Sequence, residues 1–282
     1  MDKNKKIGIA YLLGSSFSFG LMSLFVKLAG NVPAMEKVVF RNGLTFFFIL
    51  FVMLKNHEKI EVKKENLKYL IARSVFGTMG VVCNFYAVDH LVLADASMLS
   101  KLSPFFAILA SYFLLKEKFS TKQILAVIGA FVGALFIIKP TGDVLNVPAM
   151  VAMLGGLGAG IAYTMVRVLG QHGVKGNIII LFFSGFCTLV CLPFTIAVFQ
   201  PLTAYQIAMM ICVGIAATAG QFCVTRAYIH APAKEISVFD YSQIIFSAML
   251  GFFVLGQVPD LYSVIGYVII CSMGVWMFFN NR

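Results

Sequence analysis

Two stretches decide how this chain is read: TMGVVCNFYAVDH at Thr78–His90 and TAGQFCVTRAYIH at Thr218–His230. They lie 140 residues apart, and one ungapped register sets Thr78, Gly80, Cys83, Ala87 and His90 against Thr218, Gly220, Cys223, Ala227 and His230. Upstream, the same register pairs Gly20 with Gly160, Val26 with Val166, Lys27 with Arg167 and Gly30 with Gly170. Downstream it pairs Asp95 with Glu235, Ser97 with Ser237, Phe106 with Phe246, Phe113 with Phe253 and Leu115 with Leu255. Chance matches among apolar residues are common, but a single register held across so many segments marks an internal repeat. The division it implies is 1–140 and 141–282.

The repeated unit is a membrane unit. Of the 282 residues 60% are hydrophobic and only 12% charged, where a soluble domain carries about a quarter. Ten apolar segments follow one another: Ile7–Leu28, Val38–Leu54, Leu67–Val88, Val92–Leu115, Gln123–Ile138, Val147–Leu169, Ile178–Phe199, Tyr205–Tyr228, Glu235–Leu255 and Tyr262–Phe279. Most are long enough to cross roughly 30 Å of hydrocarbon at about 1.5 Å per residue. The joints carry helix breakers, among them Asn31-Val-Pro33, Lys139-Pro-Thr-Gly142, Gln171-His-Gly173 and Gln200-Pro201. The longest polar joint, Lys55–Lys68, holds five lysines and three glutamates, and no soluble domain interrupts the series. The first apolar run is too long for a signal peptide and is read as a retained helix.

Orientation follows from Lys and Arg in the joints. Alternate joints hold Lys55, Lys59, Lys63, Lys64 and Lys68, then Lys116, Lys118 and Lys122, then Arg167 and Lys175, then Arg226 and Lys234. The intervening joints hold only Lys27, Lys37 and Lys139. Together with Lys3, Lys5, Lys6 and Arg282, this asymmetry places both termini in the cytoplasm and requires an even number of spans. Each half then has five spans, an odd number, so the second half is inverted relative to the first. The fold class expected is an all-α integral membrane bundle of ten transmembrane helices in a 5+5 inverted repeat.

A net charge of +10 could suggest nucleic-acid binding. The basic residues form no single face, and anionic lipid headgroups are their natural partner. The cysteines, Cys83, Cys187, Cys191, Cys212, Cys223 and Cys271, fall within apolar runs, and none forms a CxxC pair. Cys187 and Cys191 are one helical turn apart, but no His or carboxylate accompanies them, so they read as small buried hydrophobes. The sequence has no Gly-rich phosphate loop, no HExxH and no GxSxG. No cofactor, metal or catalytic residue is expected, and a primary ATP-driven pump is excluded for this chain alone.

One further stretch carries a family resemblance: ADASMLSKLSPFFAILASYFLLKE at Ala94–Glu117. A fourth helix with a mid-membrane proline (Pro104) and an apolar run closed by an acid (Glu117) resembles the drug/metabolite transporter superfamily, in particular its EamA-type members. The resemblance covers essentially the whole chain. The second copy departs from it, with Ile244 in place of the proline and Gln257 in place of the acid. It implies a cavity lined by spans 1–4 and 6–9, with spans 5 and 10 bracing the outside.

Ionisable groups inside a membrane cost at least about 2.5–3.5 kcal/mol each and mark candidate sites. Arg41, Lys101 and Asp240 are the three singled out. Arg41 could face a cavity or snorkel outward. Lys101 and Asp240 fall on corresponding spans, with Asp240 opposite Ser100 in the repeat register. Straight helices would set them roughly 10 Å apart along the membrane normal, so a direct salt bridge is not required by the spacing. Two readings are open. Each charge binds an opposite charge on a solute, Asp240 also being able to carry a coupling proton, or the two neutralise one another and hold the halves together. Asn84, Tyr86, Tyr163 and Gln221 have polar heads that lipid cannot satisfy, and Tyr241 and Gln243 extend a polar stripe on span 9. Each could line the site or bond between helices. Asp95 and Glu235 begin spans and suit helix caps. His90 and His230 suit wetted turns. Gly156/Gly160 and Gly129/Gly133 are spaced for close helix approach, and Pro104 and Pro193 should kink their helices.

Inverted repeats place a substrate site between the halves and supply alternating access. The function expected is secondary active transport of a small polar, charged or zwitterionic metabolite across the plasma membrane, with a proton or counter-substrate as coupling partner. A flippase for a lipid-linked or amphipathic intermediate is the alternative. The substrate, the direction of transport and the oligomeric state are not legible.

Overall fold

The computed structural model describes residues 3–115, 120–138, 146–230 and 237–280. Its helices are α1 (Lys3–Leu28), α2 (Ala34–Lys55), α3 (Lys64–His90), α4 (Leu93–Ser100), α5 (Ser103–Leu115), α6 (Thr121–Ile138), α7 (Val147–Gln171), α8 (Gly176–Ala197), α9 (Ala204–His230), α10 (Ser242–Leu255) and α11 (Leu261–Asn280). A 3₁₀ turn, Ser237–Tyr241, leads into α10. Counting α4 with α5 and the 3₁₀ turn with α10 as single crossings gives ten spans. Among the described residues, seven helices are long and apolar enough to cross a bilayer individually. The spans run past several predicted ends because polar residues continue the helix into the headgroup zone: α2 starts at Ala34 and α3 at Lys64. The joints at 116–119, 139–145 and 231–236, with Lys116, Glu117, Lys118, Lys139, Lys234 and Glu235, lie outside the described residues.

The packing pairs have the symmetry of the repeat. α3 packs on α7, and the corresponding α9 packs on α1. α2 packs on α9 as α8 does on α3, and α4–α5 pack on α7 as α10 does on α1. The remaining large pairs, α2 with α8, α4 with α10 and α6 with α11, join each span to its own counterpart. Exchanging the halves therefore maps the contact pattern onto itself. The α6–α11 pair stands to one side, and Ile128, Val132, Leu135, Val264 and Val268 on it remain exposed, as lipid-facing residues should.

Lipid tails are as apolar as leucine, so close packing rather than hydrophobic burial must hold such helices together. Glycines supply it where α7 meets the broken span. A Cβ on Gly156 would come within 2.9 Å of the Leu99 carbonyl oxygen, and one on Gly160 within 2.7 Å of both Phe106 Cβ and the Ser103 carbonyl. Gly129 and Gly133 lie equally close to Met273 and Ile270 of α11. Pro193 sits inside α8 as expected, but Pro104 does more than kink its helix. It is the second residue of α5, beyond a turn at Lys101-Leu102 that separates α4 from α5. Proline has no N–H for the carbonyl one turn back, and the ladder has already tightened there: Lys101 N–H donates to Met98 O at 2.9 Å and Leu102 N–H to Leu99 O at 3.2 Å.

At the other end, Gly256 closes α10 with φ +63°, a left-handed cap that suits glycine. The next residue, Gln257, accepts a hydrogen bond from the Leu93 N–H at 3.0 Å and so caps α4. Asp95, expected as the cap, instead accepts from the Tyr267 hydroxyl at 2.6 Å and ties α4 to α11. The reason is that α4 begins at Leu93, which leaves Asp95 inside the first turn, past the capping position.

Gly160→Leu should therefore lower stability by about 1–3 kcal/mol through overpacking, read as a lower unfolding midpoint in detergent. Gly170→Leu, at a site with nothing within 4 Å of a new Cβ, should leave the midpoint unchanged.

Candidate substrate-binding site

The two half-spans meet at a pair of charges. Lys101 closes α4 and Asp240 lies in the 3₁₀ turn before α10. Lys101 Nζ stands 2.8 Å from Asp240 Oδ2, and each side chain is about nine-tenths buried. The separation inferred from straight helices does not apply, because both spans are irregular at this point and run antiparallel side by side. Ser97 and Ser247 hydrogen bond across them at 2.7 Å. One turn further along α4, and back past the start of α10, the lysine reaches the carboxylate. Ser16 of α1 donates to the other oxygen, Asp240 Oδ1, at 3.4 Å.

Asn84 of α3 donates to Ser100 Oγ, next to Lys101. Gln221 and Gln243 are buried on α9 and α10. Tyr163 of α7 lies in the electrostatic field of Asp240 and also of Arg41. Two predicted residues lie elsewhere. The Tyr86 ring stacks on His90 at 4.2 Å and lines a separate cleft with Lys27, Asn31 and Asp89. Two residues beyond Asn84 on one helix, it points to the opposite side. The Tyr241 ring lies where a Cβ on Gly274 would be, its hydroxyl buried without a partner, because the residue after Asp240 turns toward α11.

Arg41 does not snorkel. It is 5% exposed, and its Nη1 donates to Asn42 Oδ1 at 2.7 Å. Its guanidinium faces the Phe183 ring at 5.8 Å, and a second one, Arg73 of α3, faces the same ring at 4.0 Å. Sequence reading missed Arg73, although it falls inside the predicted span Leu67–Val88 and carries the same signal as Arg41. It counted Lys37 only as a joint lysine, whereas the structure buries it fully in an ion pair at 2.5 Å with Asp89, which lines that separate cleft. Cys187 and Cys191 are buried, and Asn42 donates to Cys187 Sγ at 3.1 Å. His90 is exposed, while the side chain of His230 lies outside the described residues.

The profile of the EamA-like transporter family matches twice, over residues 6–139 and again over 147–279. The chain belongs to that family. It is 32% identical over 268 residues to a pseudopaline exporter of Pseudomonas aeruginosa, covering 94% of this chain and 93% of that protein. It is 23% identical over 287 residues to an S-adenosylmethionine uptake transporter of Rickettsia bellii, covering 99% and 96%. A solved crystal structure, 16% identical, shares the fold with a TM-score of 0.67 over 100% of this chain and 99% of that one. As a member of the EamA-like family, the chain is a multi-pass membrane transporter. The family match and the helices agree on the scaffold, while the charges described above differ in kind from the packing residues around them.

Breaking a buried pair from one side strands a charge, at about 3–5 kcal/mol, whereas removing both partners costs far less. Lys101→Met and Asp240→Leu should therefore each lower the unfolding midpoint strongly, and the double substitution should recover much of that loss. Additive effects would show that the two charges are independent in the folded protein.

Proposed function

We propose that this chain is a secondary active transporter that moves a small polar, charged or zwitterionic metabolite across the plasma membrane by alternating access. The moving parts are the two inverted halves, 1–140 and 141–282, and both termini face the cytoplasm. The observation that carries this reading is the Lys101–Asp240 pair. It joins the two halves, it is buried, and it sits where both corresponding spans lose regular helical geometry. Helix breaks at the interface of inverted repeats expose free backbone groups where a polar solute can use them.

An ion pair between moving halves can be a latch. A zwitterionic solute offers an ammonium-type group to Asp240 and an acidic group to Lys101, replacing one internal pair by two external ones. The exchange leaves no charge stranded, so it can open the interface at little electrostatic cost. Asn84, Tyr163, Gln221, Gln243 and Ser16 supply polar heads around it. Arg41 extends the site on the side of α2. A proton on Asp240 would also break the pair, but it would leave Lys101 as an unpaired cation for an acidic group of the solute to neutralise, which makes Asp240 the coupling residue under this reading. The relatives named as an exporter and as an uptake transporter support transport as the activity and leave its direction to experiment.

The test begins with a thermal-shift screen of amino acids, nucleosides, methylated sulfonium and quaternary compounds, and organic acids, followed by counterflow of each hit in proteoliposomes. A transported hit should stabilise the wild type and lose its effect in Lys101→Ala and in Asp240→Asn. A hit that stabilises all three proteins equally would make the pair structural only. A chemically altered product would refute transport as the activity.

A further inference from the structure

The charges buried in the bundle are not all alike. Lys37 has Asp89, Lys101 has Asp240, and Lys27 donates to the Leu91 carbonyl. Arg41 and Arg73 have no carboxylate within ion-pair distance among the described residues. They are 5% and 4% exposed, and the Nε of each is buried without a hydrogen-bond partner. Among the described residues, each cation therefore lacks a counter-charge, each is shielded from bulk water, and each lies close to another of the same sign. Arg73 stands in the field of Arg41.

The surroundings are built to hold them so. Phe183 of α8, itself 2% exposed, takes one guanidinium at 4.0 Å and the other at 5.8 Å. Cation–π contact steadies a guanidinium but supplies no acceptor for its N–H groups. Arg73 lies over Gly77, one turn further along its own helix. A Cβ there would come within 2.0 Å of Arg73 Nη1, so the position leaves the arginine its space. Asn42 holds Arg41 from one side and is itself fixed by donating to Val38 O at 2.9 Å and to Cys187 Sγ at 3.1 Å. The two arginines come from α2 and α3 of the first half, while the ring beneath them belongs to the second. Tyr163, also of the second half, stands in the fields of Arg41, Arg73 and Asp240.

We propose that Arg41 and Arg73 form an oxyanion-binding site, with Phe183 as its floor, that takes a carboxylate or phosphate group of the transported solute. Guanidinium N–H groups match the two oxygens of such a group in bidentate fashion. The missing counter-charge is then delivered by the ligand. This deepens the transport reading and rests on it for the word solute, since an anionic lipid headgroup carries the same chemistry. The deep burial favours a soluble anion.

The site makes two demands on the empty protein that a structural pair of arginines would not. Removing an unpaired buried charge should leave the empty protein as stable or make it more so, and should at the same time abolish the response to anions. The experiment uses purified full-length protein in phosphatidylcholine nanodiscs, with succinate, glutamate and inorganic phosphate as probes. Succinamide is the neutral control, and chloride fixes the ionic strength. Arg41→Gln, Arg73→Gln and Arg41→Lys are compared with wild type, and Gly77→Ala displaces Arg73 without removing it.

At least one oxyanion probe should raise the wild-type unfolding midpoint beyond what chloride does. Its apparent affinity should fall by about tenfold or more in each Gln variant, as expected for loss of a charged hydrogen bond, and by less in Arg41→Lys. Midpoints of the empty Gln variants should hold or rise. Lower empty-state midpoints with an unchanged anion response would make the arginines structural and overturn the proposal. So would a wild type on which the three oxyanions act no differently from chloride. If only phosphatidylglycerol nanodiscs stabilise the protein, and do so through the arginines, the ligand is a headgroup and the solute assignment is overturned. Anion-dependent stabilisation that survives a failure of counterflow would refute transport of that probe while leaving the binding site standing.

Discussion

A charge inside this bundle has no water to solvate it, and the architecture follows from that constraint. Lipid offers no donor or acceptor, so the cost of burying Lys101 is offset by an acid that the fold brings to it. Asp240 is that acid, and it arrives from the opposite half. For the two to meet, α4 must stop at Lys101 and α10 must begin only after a 3₁₀ turn. The backbone irregularity and the ion pair are two aspects of one arrangement. The glycine face of α7 completes it by letting that helix press against the broken span at Leu99 and Ser103.

The scaffold was largely legible in the sequence because its causes are local or periodic. Runs of apolar residues give spans, charged joints separate them, and the 140-residue register gives the relation between halves. The register even anticipates the packing, since α3 on α7 and α9 on α1 are one contact seen twice. The site was less legible because its causes are long-range. Lys101 and Asp240 were singled out, but their contact depends on two local departures from helical geometry that residue spacing does not encode. Tyr86 and Tyr241 were placed by polarity alone. Helical phase carries the first to the cleft beside Lys27 and Asp89 and the second toward Gly274.

Arg73 shows a different kind of loss. An arginine seven residues into an apolar segment is as conspicuous as Arg41, yet it lies just past the basic joint Lys55–Lys68 and is easily counted with it. The structure separates the two populations. Lys63 and Glu65 are exposed at the joint, 3.9 Å apart in water, whereas Arg73 lies under Phe183. Depth along the span distinguishes a topological charge from a candidate ligand, and depth depends on where the helix begins.

The repeat itself supplies the last step. The alternating access proposed above would need two conformations of similar energy, and the symmetric packing is compatible with that. Apolar and small residues dominate that symmetry: Gly20 matches Gly160, Gly80 matches Gly220 and Phe106 matches Phe246. The candidate binding charges break it. In the same register Lys101 faces Tyr241, Asp240 faces Ser100, Arg41 faces Leu181 and Arg73 faces Val213. Three of the four charges therefore belong to the first half, and none has a charged counterpart. If the halves exchanged conformations as proposed, the helices could trade environments but the charges could not. A solute that neutralised them would then interact differently with the two states. That difference in affinity is the only means by which a ligand shifts such an equilibrium. Under that proposal, symmetry in the packing would make the motion cheap, and asymmetry in four side chains would make it responsive to what is bound.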